Sequence, residues 1–467
     1  MKNQLTVLLA MMIGVLSWAQ EPLSLTLEEA IAYALENNRT AVNAQRDIEA
    51  AEKQKWETTA TGLPQINGSI EYQNFLKQPV SLLPASAFDT TEATIETVED
   101  FFGLTRNQDP DPIEGFIPVR FGTKQNVNAQ ATLSQLLFDG SYLVGLQSAK
   151  VFLEISKNAK VKTDQEVRKL VIQAYGNVLL AEESVDILES NKNTLQKNYE
   201  ETKKIYENGL EEEESVEQLL ITLTSTESNL NNAKRQRDIA YRLLNLTLGS
   251  DVNTPLQLKD ELENLTEQNI VLGLMDAEEN LEDNIDYKIA KNNERSQELL
   301  VKFEKSQALP SLSAFLNGGY QAFSDEFSFL EGGQQWFGSS LVGVSLNIPV
   351  FSSLGRSAKT QRAKINLEKA RAELTETEQQ LKLNIASAKS DYQFAIEQYD
   401  TSKKNLTLAE RIENKNQTKF FEGIGSSFEL RQAQTQLYGA QQEFLQAMLN
   451  VITSKTELET LLNSDIN

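Results

Sequence analysis

The sequence predicts a mainly α-helical chain with a small β part, in which a long coiled-coil hairpin occurs twice. Three observations predict it. Heptad-spaced apolar residues run along two pairs of proline-free arms, the second pair repeats the first in register, and four short runs alternate apolar and polar residues.

At the start, Lys2 precedes an apolar run over 5–18, and Ser17 and Ala19 frame a cleavage point before Gln20, the pattern of a secretory signal peptide over 1–19. A run of about 14 apolar residues falls short of the roughly 20 that a spanning helix needs. No later stretch is long and apolar enough either, so a membrane crossing would have to use strands.

Thr26 and Glu29 stand at capping-box spacing, so a helix is expected to begin there and run to about Thr61. Its counterpart lies 246 residues on, where Asn38 matches Asn284, Ala44 matches Ala290, and Leu63-Pro64 matches Leu309-Pro310. Each Leu-Pro ends a helix, because proline lacks the amide proton and restrains the residue before it.

Past Pro64 the period becomes two, through Ile66, Gly68, Ile70 and Tyr72. A second run follows at Val127, Ala129, Ala131 and Leu133. The second half repeats the pair at Leu312, Ala314 and Leu316, then at Val342, Val344, Leu346 and Ile348. Four strands of about ten residues result. Such alternation suits an ordinary water-facing sheet and equally the strand of an outer-membrane barrel. Residues 76–118, with five prolines and many carboxylates, have no counterpart in the second half and read as an inserted loop with a short helix over 90–102.

The first hairpin occupies 141–248. Its descending seam is Val167, Val171, Ala174, Val178, Ala181, Val185, Leu188, Leu195, Tyr199 and Tyr206, interrupted at Lys192 and Thr202. Its return runs through Val216, Leu219, Leu223, Leu230, Ala233, Ala240 and Leu244, broken at Thr226 and Arg237. At ~1.5 Å of rise per residue, an arm of about 65 residues makes a rod of roughly 100 Å. The second hairpin is displaced by 214 residues: Val167 maps to Leu381, Gly209 to Gly423, and Val216 to Leu430. The expected organisation is therefore a leader (1–19), a first repeat (20–250), a connector packed outside the rods (251–275) and a second repeat (276–467).

With a net charge of −23 the chain lacks the basic surface a nucleic-acid partner requires. It has no cysteine and no histidine, which removes disulfides, thiolate chemistry and the commonest general base and metal ligand. No phosphate-binding or dinucleotide-binding glycine loop occurs, and beyond the leader only Met275 and Met448 remain, too few for a methionine relay. Carboxylates are numerous but sit on solvated helical faces, with no pair singled out for catalysis. The expectation is a protein that is not an enzyme and carries no cofactor and no metal.

Three marks carry a family resemblance: Leu25-Thr-Leu-Glu-Glu-Ala-Ile-Ala-Tyr-Ala-Leu-Glu-Asn-Asn, the two Leu-Pro strand entries, and the turns Asn208-Gly-Leu and Glu422-Gly-Ile-Gly. In this order, and duplicated, they resemble the TolC-like outer-membrane efflux protein family over essentially the whole mature chain. The resemblance implies a homotrimer in the outer-membrane lipid, in which four strands per chain contribute to a twelve-stranded transmembrane β-barrel and the hairpins form an α-barrel tunnel in the periplasm. It implies an exit duct of a tripartite efflux or type I secretion system, working with a periplasmic adaptor and an inner-membrane pump. Elementary physics agrees on oligomerisation, since four strands cannot close a barrel and open edges in lipid leave backbone groups unpaired.

The resemblance also implies that the hairpin tips face the adaptor: Gly209, Leu210, Glu211, Glu212, Glu213 and Glu214 on one, Gly423, Ile424, Gly425, Ser426 and Ser427 on the other. An acidic gate position falls on Glu429, with Gln432 at the second such position, and Glu429 reads equally as a first-turn carboxylate favoured by the helix dipole. Family positions where Tyr, Arg and Asp latch the closed end hold Phe420, Gly425 and Ser215 here, so a closed state has to be held differently. The competing reading is a secreted, elongated coiled-coil scaffold or adhesin whose strands never enter lipid.

Overall fold

The computed structural model describes residues 23–108, 111, 114–277 and 279–463; the expected leader lies outside them. In chain order the elements are β1 (Leu23–Leu25), α1 (Leu27–Asn37), α2 (Arg39–Ala60), β2 (Gln65–Asn74), β3 (Val80–Pro84), α3 (Thr91–Phe102), β4 (Phe116–Arg120) and β5 (Gln125–Asp139). There follow α4 (Gly140–Glu207), α5 (Glu213–Leu248), β6 (Leu256–Leu258), α6 (Leu262–Gln268), α7 (Ile285–Ser306), β7 (Ser311–Ser324), β8 (Trp336–Asn347), α8 (Gly355–Phe421) and α9 (Ser427–Leu462). Two compact units divide them: a helical unit of residues up to Lys55, Gln147–Lys302 and Ser357 onward, and a sheet unit of Trp56–Leu146 and Phe303–Arg356.

In the helical unit the heptad seams are the core. Val171, Val178, Leu195 and Leu244 of the first hairpin are fully buried, as are Tyr392, Val451 and Leu458 of the second. Two details depart from expectation. Thr202 and Thr226 lie inside the seam rather than interrupting it; the Thr226 hydroxyl donates to the Thr222 carbonyl one turn back (2.9 Å), which removes the cost of burying it. Tyr206, 37% exposed, falls out of the seam in the last turn before the tip.

The helix expected to reach Thr61 is two helices, α1 and α2, broken at Asn38 in extended backbone (φ −61°, ψ 129°). Asn38 explains the break, because its Oδ1 accepts the Thr40 amide (2.8 Å) and caps α2, while its Nδ2 donates to the Thr247 carbonyl at the end of α5 (2.7 Å). Asn284 does the same in the second half, accepting from the Asp286 amide (2.8 Å) and donating to the Leu461 carbonyl (2.9 Å). Asn38 and Asn284 keep the 246-residue offset while Thr247 and Leu461 keep the 214-residue offset, so the duplication extends to single hydrogen bonds. Just beyond, Gly249 (φ 86°) and Asn463 (φ 53°) both end their helices in the left-handed region.

The connector is part of the core, not an outer cover. Strand β6 pairs in parallel with β1, and α6 places Leu262 and Leu265 in the main apolar cluster. The Tyr392 hydroxyl accepts the Val271 amide (2.8 Å) and donates to the Asn269 carbonyl (2.6 Å). Asp260 accepts both the Tyr175 hydroxyl and the Leu27 amide (2.7 Å each), joining the connector to α4 and to the start of α1.

The sheet unit is one four-stranded sheet in the order β2-β5-β7-β8, antiparallel throughout. Strand β5 is longer than its alternating run and carries an irregularity between Leu136 and Phe138 before Asp139 accepts the Ser141 and Tyr142 amides and caps α4. Gly62, where the chain turns into β2, abuts the Tyr142 ring, and an added Cβ would lie 2.3 Å from it. The insertion is more ordered than a loop: β3 and β4 pair as an antiparallel ribbon, and α3 forms as expected with no buried residue. Its neck is closed by the Phe75 amide on the Lys124 carbonyl (2.8 Å).

Candidate functional site

The two tips share one stop signal. Gly209 adopts φ 76° and Gly423 φ 73°. In each, the glycine amide reaches three residues back (Tyr206, 2.7 Å; Phe420, 3.0 Å) and the next amide five back (Ile205, 3.1 Å; Lys419, 3.0 Å). These bonds satisfy the last carbonyls of α4 and α8, and glycine adopts that backbone without the penalty a Cβ brings. The apolar residue that follows is open in both, Leu210 at 79% and Ile424 at 73% exposure.

Beyond the glycine the tips diverge. The helix α9 starts on a reciprocal capping box, in which Ser426 Oγ accepts the Glu429 amide and Glu429 Oε2 accepts the Ser426 amide (3.2 Å each). Helix α5 follows Glu212, which stands at its N-cap but makes no side-chain cap bond. Glu213 and Glu214 occupy its first turn, where the dipole favours them, and Glu212, Glu213 and Glu214 are exposed while Glu211 is half-buried. Gly425 and Ser427 are half-buried and Ser426 is exposed.

Of the gate candidates, Glu429 and Gln432 are exposed, while Phe420 and Ser215 are buried. Phe420 stands edge-on to Phe421 at 5.4 Å between ring centres. Three residues escaped the sequence reading, Asn198 of α4, Glu413 of α8 and Gln434 of α9, which with Thr202, read only as an interruption, are all buried within a few turns of the tips. Asn198 Oδ1 accepts from Gln417 Nε2 across the hairpins (3.0 Å), and Asn198 Nδ2 and Thr202 Oγ1 have no partner among the described residues. Burial pushes the Glu413 carboxyl above its ordinary range, against a smaller opposing effect of Gln434. The signal was present, since the heptad through Leu406, Ala409 and Phe420 puts 413 in the seam.

On the sheet the alternating runs fall in register on one face. One row is Ile66-Leu133-Leu316-Val342 and another is Tyr72-Val127-Ala322-Trp336. Around the first row that face stays open, with Ile66 75%, Ile70 81% and Val342 75% exposed, while in the second row Val127 and Ala322 are buried with Phe329. Each outer strand, β2 and β8, has one neighbour and one free edge. No helix among the described residues is long and apolar enough to cross a membrane.

The family model for outer membrane efflux proteins matches residues 119–250 and 278–464. The chain belongs to the outer membrane efflux protein family. No curated protein matches it. Among solved structures, this efflux protein resembles VceC of Vibrio cholerae at 15% identity, with 93% of this chain and 95% of that one covered and a TM-score of 0.67. It resembles CmeC of Campylobacter jejuni, an outer membrane channel, at 18% identity (96% and 90% covered, TM-score 0.68). CusC, studied for transmembrane channel formation, matches at 19% identity (94% and 92% covered, TM-score 0.70). At these identities the likeness establishes the fold, and family membership favours the channel over the secreted scaffold.

Proposed function

We propose that this efflux protein is the outer-membrane exit duct of a tripartite efflux or type I secretion system, acting as a homotrimer with a periplasmic adaptor and an inner-membrane pump. The observation that carries this reading is the sheet: four antiparallel strands, an apolar face open except where Phe329 covers Val127 and Ala322, and two unpaired edges. In lipid those edges have to be paired. Strands β2 and β8 run in opposite directions, so β8 of one copy can join β2 of the next without breaking the antiparallel alternation. Three copies then close a barrel of twelve strands, with the apolar rows outward and the hairpins grouped as a tunnel.

The tips are the proposed adaptor-facing surface, with Leu210 and Ile424 as the apolar contacts and 211–214 as an acidic one. Glu429 is the proposed gate carboxylate; its place in the capping box fixes it in the first turn of α9. Phe420 and Ser215, being buried, support a closed end held by packing rather than by a polar latch. Detergent extracts of outer membranes should yield a heat-modifiable trimer with discrete conductance in planar bilayers. Recovery solely as a soluble monomer would overturn the reading.

A further inference from the structure

Across β2, β5, β7 and β8 the only charged side chains are Glu71 and Asp139, and there is no lysine or arginine. Asp139 is occupied as the cap of α4. Glu71 is exposed on the face opposite the apolar rows, in register with Asn128 and, through it, with Gln321. Its Oε1 accepts from Gln73 Nε2 (2.9 Å), and Asn126 supports Gln73 in turn (3.4 Å). An otherwise uncharged wall of amides, hydroxyls and a few phenyl rings thus carries one carboxylate, held by the single amide donor of Gln73.

We infer that Glu71 supplies the single ring of charge inside the barrel and sets its preference for small cations, independently of the acidic tips. This rests on the trimeric channel reading. Twelve strands about 4.8 Å apart and tilted by about 40° enclose a radius of roughly 12 Å, which leaves a carboxylate about 7 Å from the axis. Three such charges, screened over ~10 Å at 0.1 M salt, enrich a monovalent cation on the axis by about fourfold. No lysine or arginine within the four strands opposes that field; the nearest along β5, Lys124, lies one residue before the strand begins.

The test is the reversal potential of reconstituted trimers in a KCl gradient, measured on Glu71→Gln and Glu71→Lys in a background where 211–214 and the proposed gate residue Glu429 are all Gln. Glu71→Gln should lower cation preference severalfold and Glu71→Lys should turn it towards anions. Because the chain has no cysteine, Glu71→Cys can be labelled alone; a charged water-soluble thiol reagent should modify it and change conductance, while Ile70→Cys on the opposite face stays unlabelled. Conducting variants with the parent's reversal potential, or a Glu71→Cys that resists the reagent, would overturn the inference alone. A parent chain that never conducts overturns the channel reading and this inference together.

Discussion

Glu413 is a carboxyl buried in a mostly apolar seam, and its folded-state pKa lies above the ordinary value of 4.5 because burial penalises the charge. The unfolded chain therefore ionises first as pH rises. The group is neutral to stability below its unfolded pKa and becomes a cost as pH climbs from there through the folded value. Glu413→Gln should accordingly raise the thermal midpoint at pH 7, and the gain should shrink towards pH 4; a gain that does not change with pH would mean the effect is packing alone. Asn38 and Asn284 make the opposite case. Each caps one helix and donates to the end of another, so replacing either by Ala should cost about 1–3 kcal/mol, by similar amounts in the two halves, in denaturant titrations. From one sequence the matching of these asparagines was legible, but not their task, because a cap that also reaches a carbonyl more than 170 residues away leaves no local pattern.

Among the elements, the long helices and strands were the most legible, since a seam or an alternating face repeated over many residues outweighs any single exception. What was hidden depended on tertiary contact. The break at Asn38 needs the Thr247 carbonyl, and the connector's place in the core needs Tyr175 and Tyr392. The insertion read as a loop because β3 and β4 are short and interrupted by proline. It is self-contained, with β3 and β4 paired only to each other in the sheet order. Replacing 79–120 by a short turn should leave the trimer intact on a gel, and its loss would make the ribbon structural. At the first tip, changing Glu211, Glu212, Glu213 and Glu214 to Gln should preserve assembly while weakening adaptor crosslinking, with the parent's advantage fading as salt shortens the Debye length. Unchanged crosslinking at low salt would make the acidic turn a solvated surface only.

For the molecule as a whole, fold class and family were legible from pattern alone. The assembly is not contained in one chain, whose sheet ends in two free edges. A mass measurement on the purified complex should return three copies, and the edge pairing predicts disulfide capture between single cysteines placed on β2 and β8 of adjacent copies. The Gly209 and Gly423 turns have one more consequence. They are interchangeable as stops yet are followed by Glu211-Glu-Glu-Glu in one hairpin and Gly425-Ser-Ser-Phe in the other. A closed ring of three chains presents six hairpin ends whose backbones repeat every 60° while their chemistry repeats every 120°. Shape alone would let a partner seat in six places, and charge lets it tell odd from even.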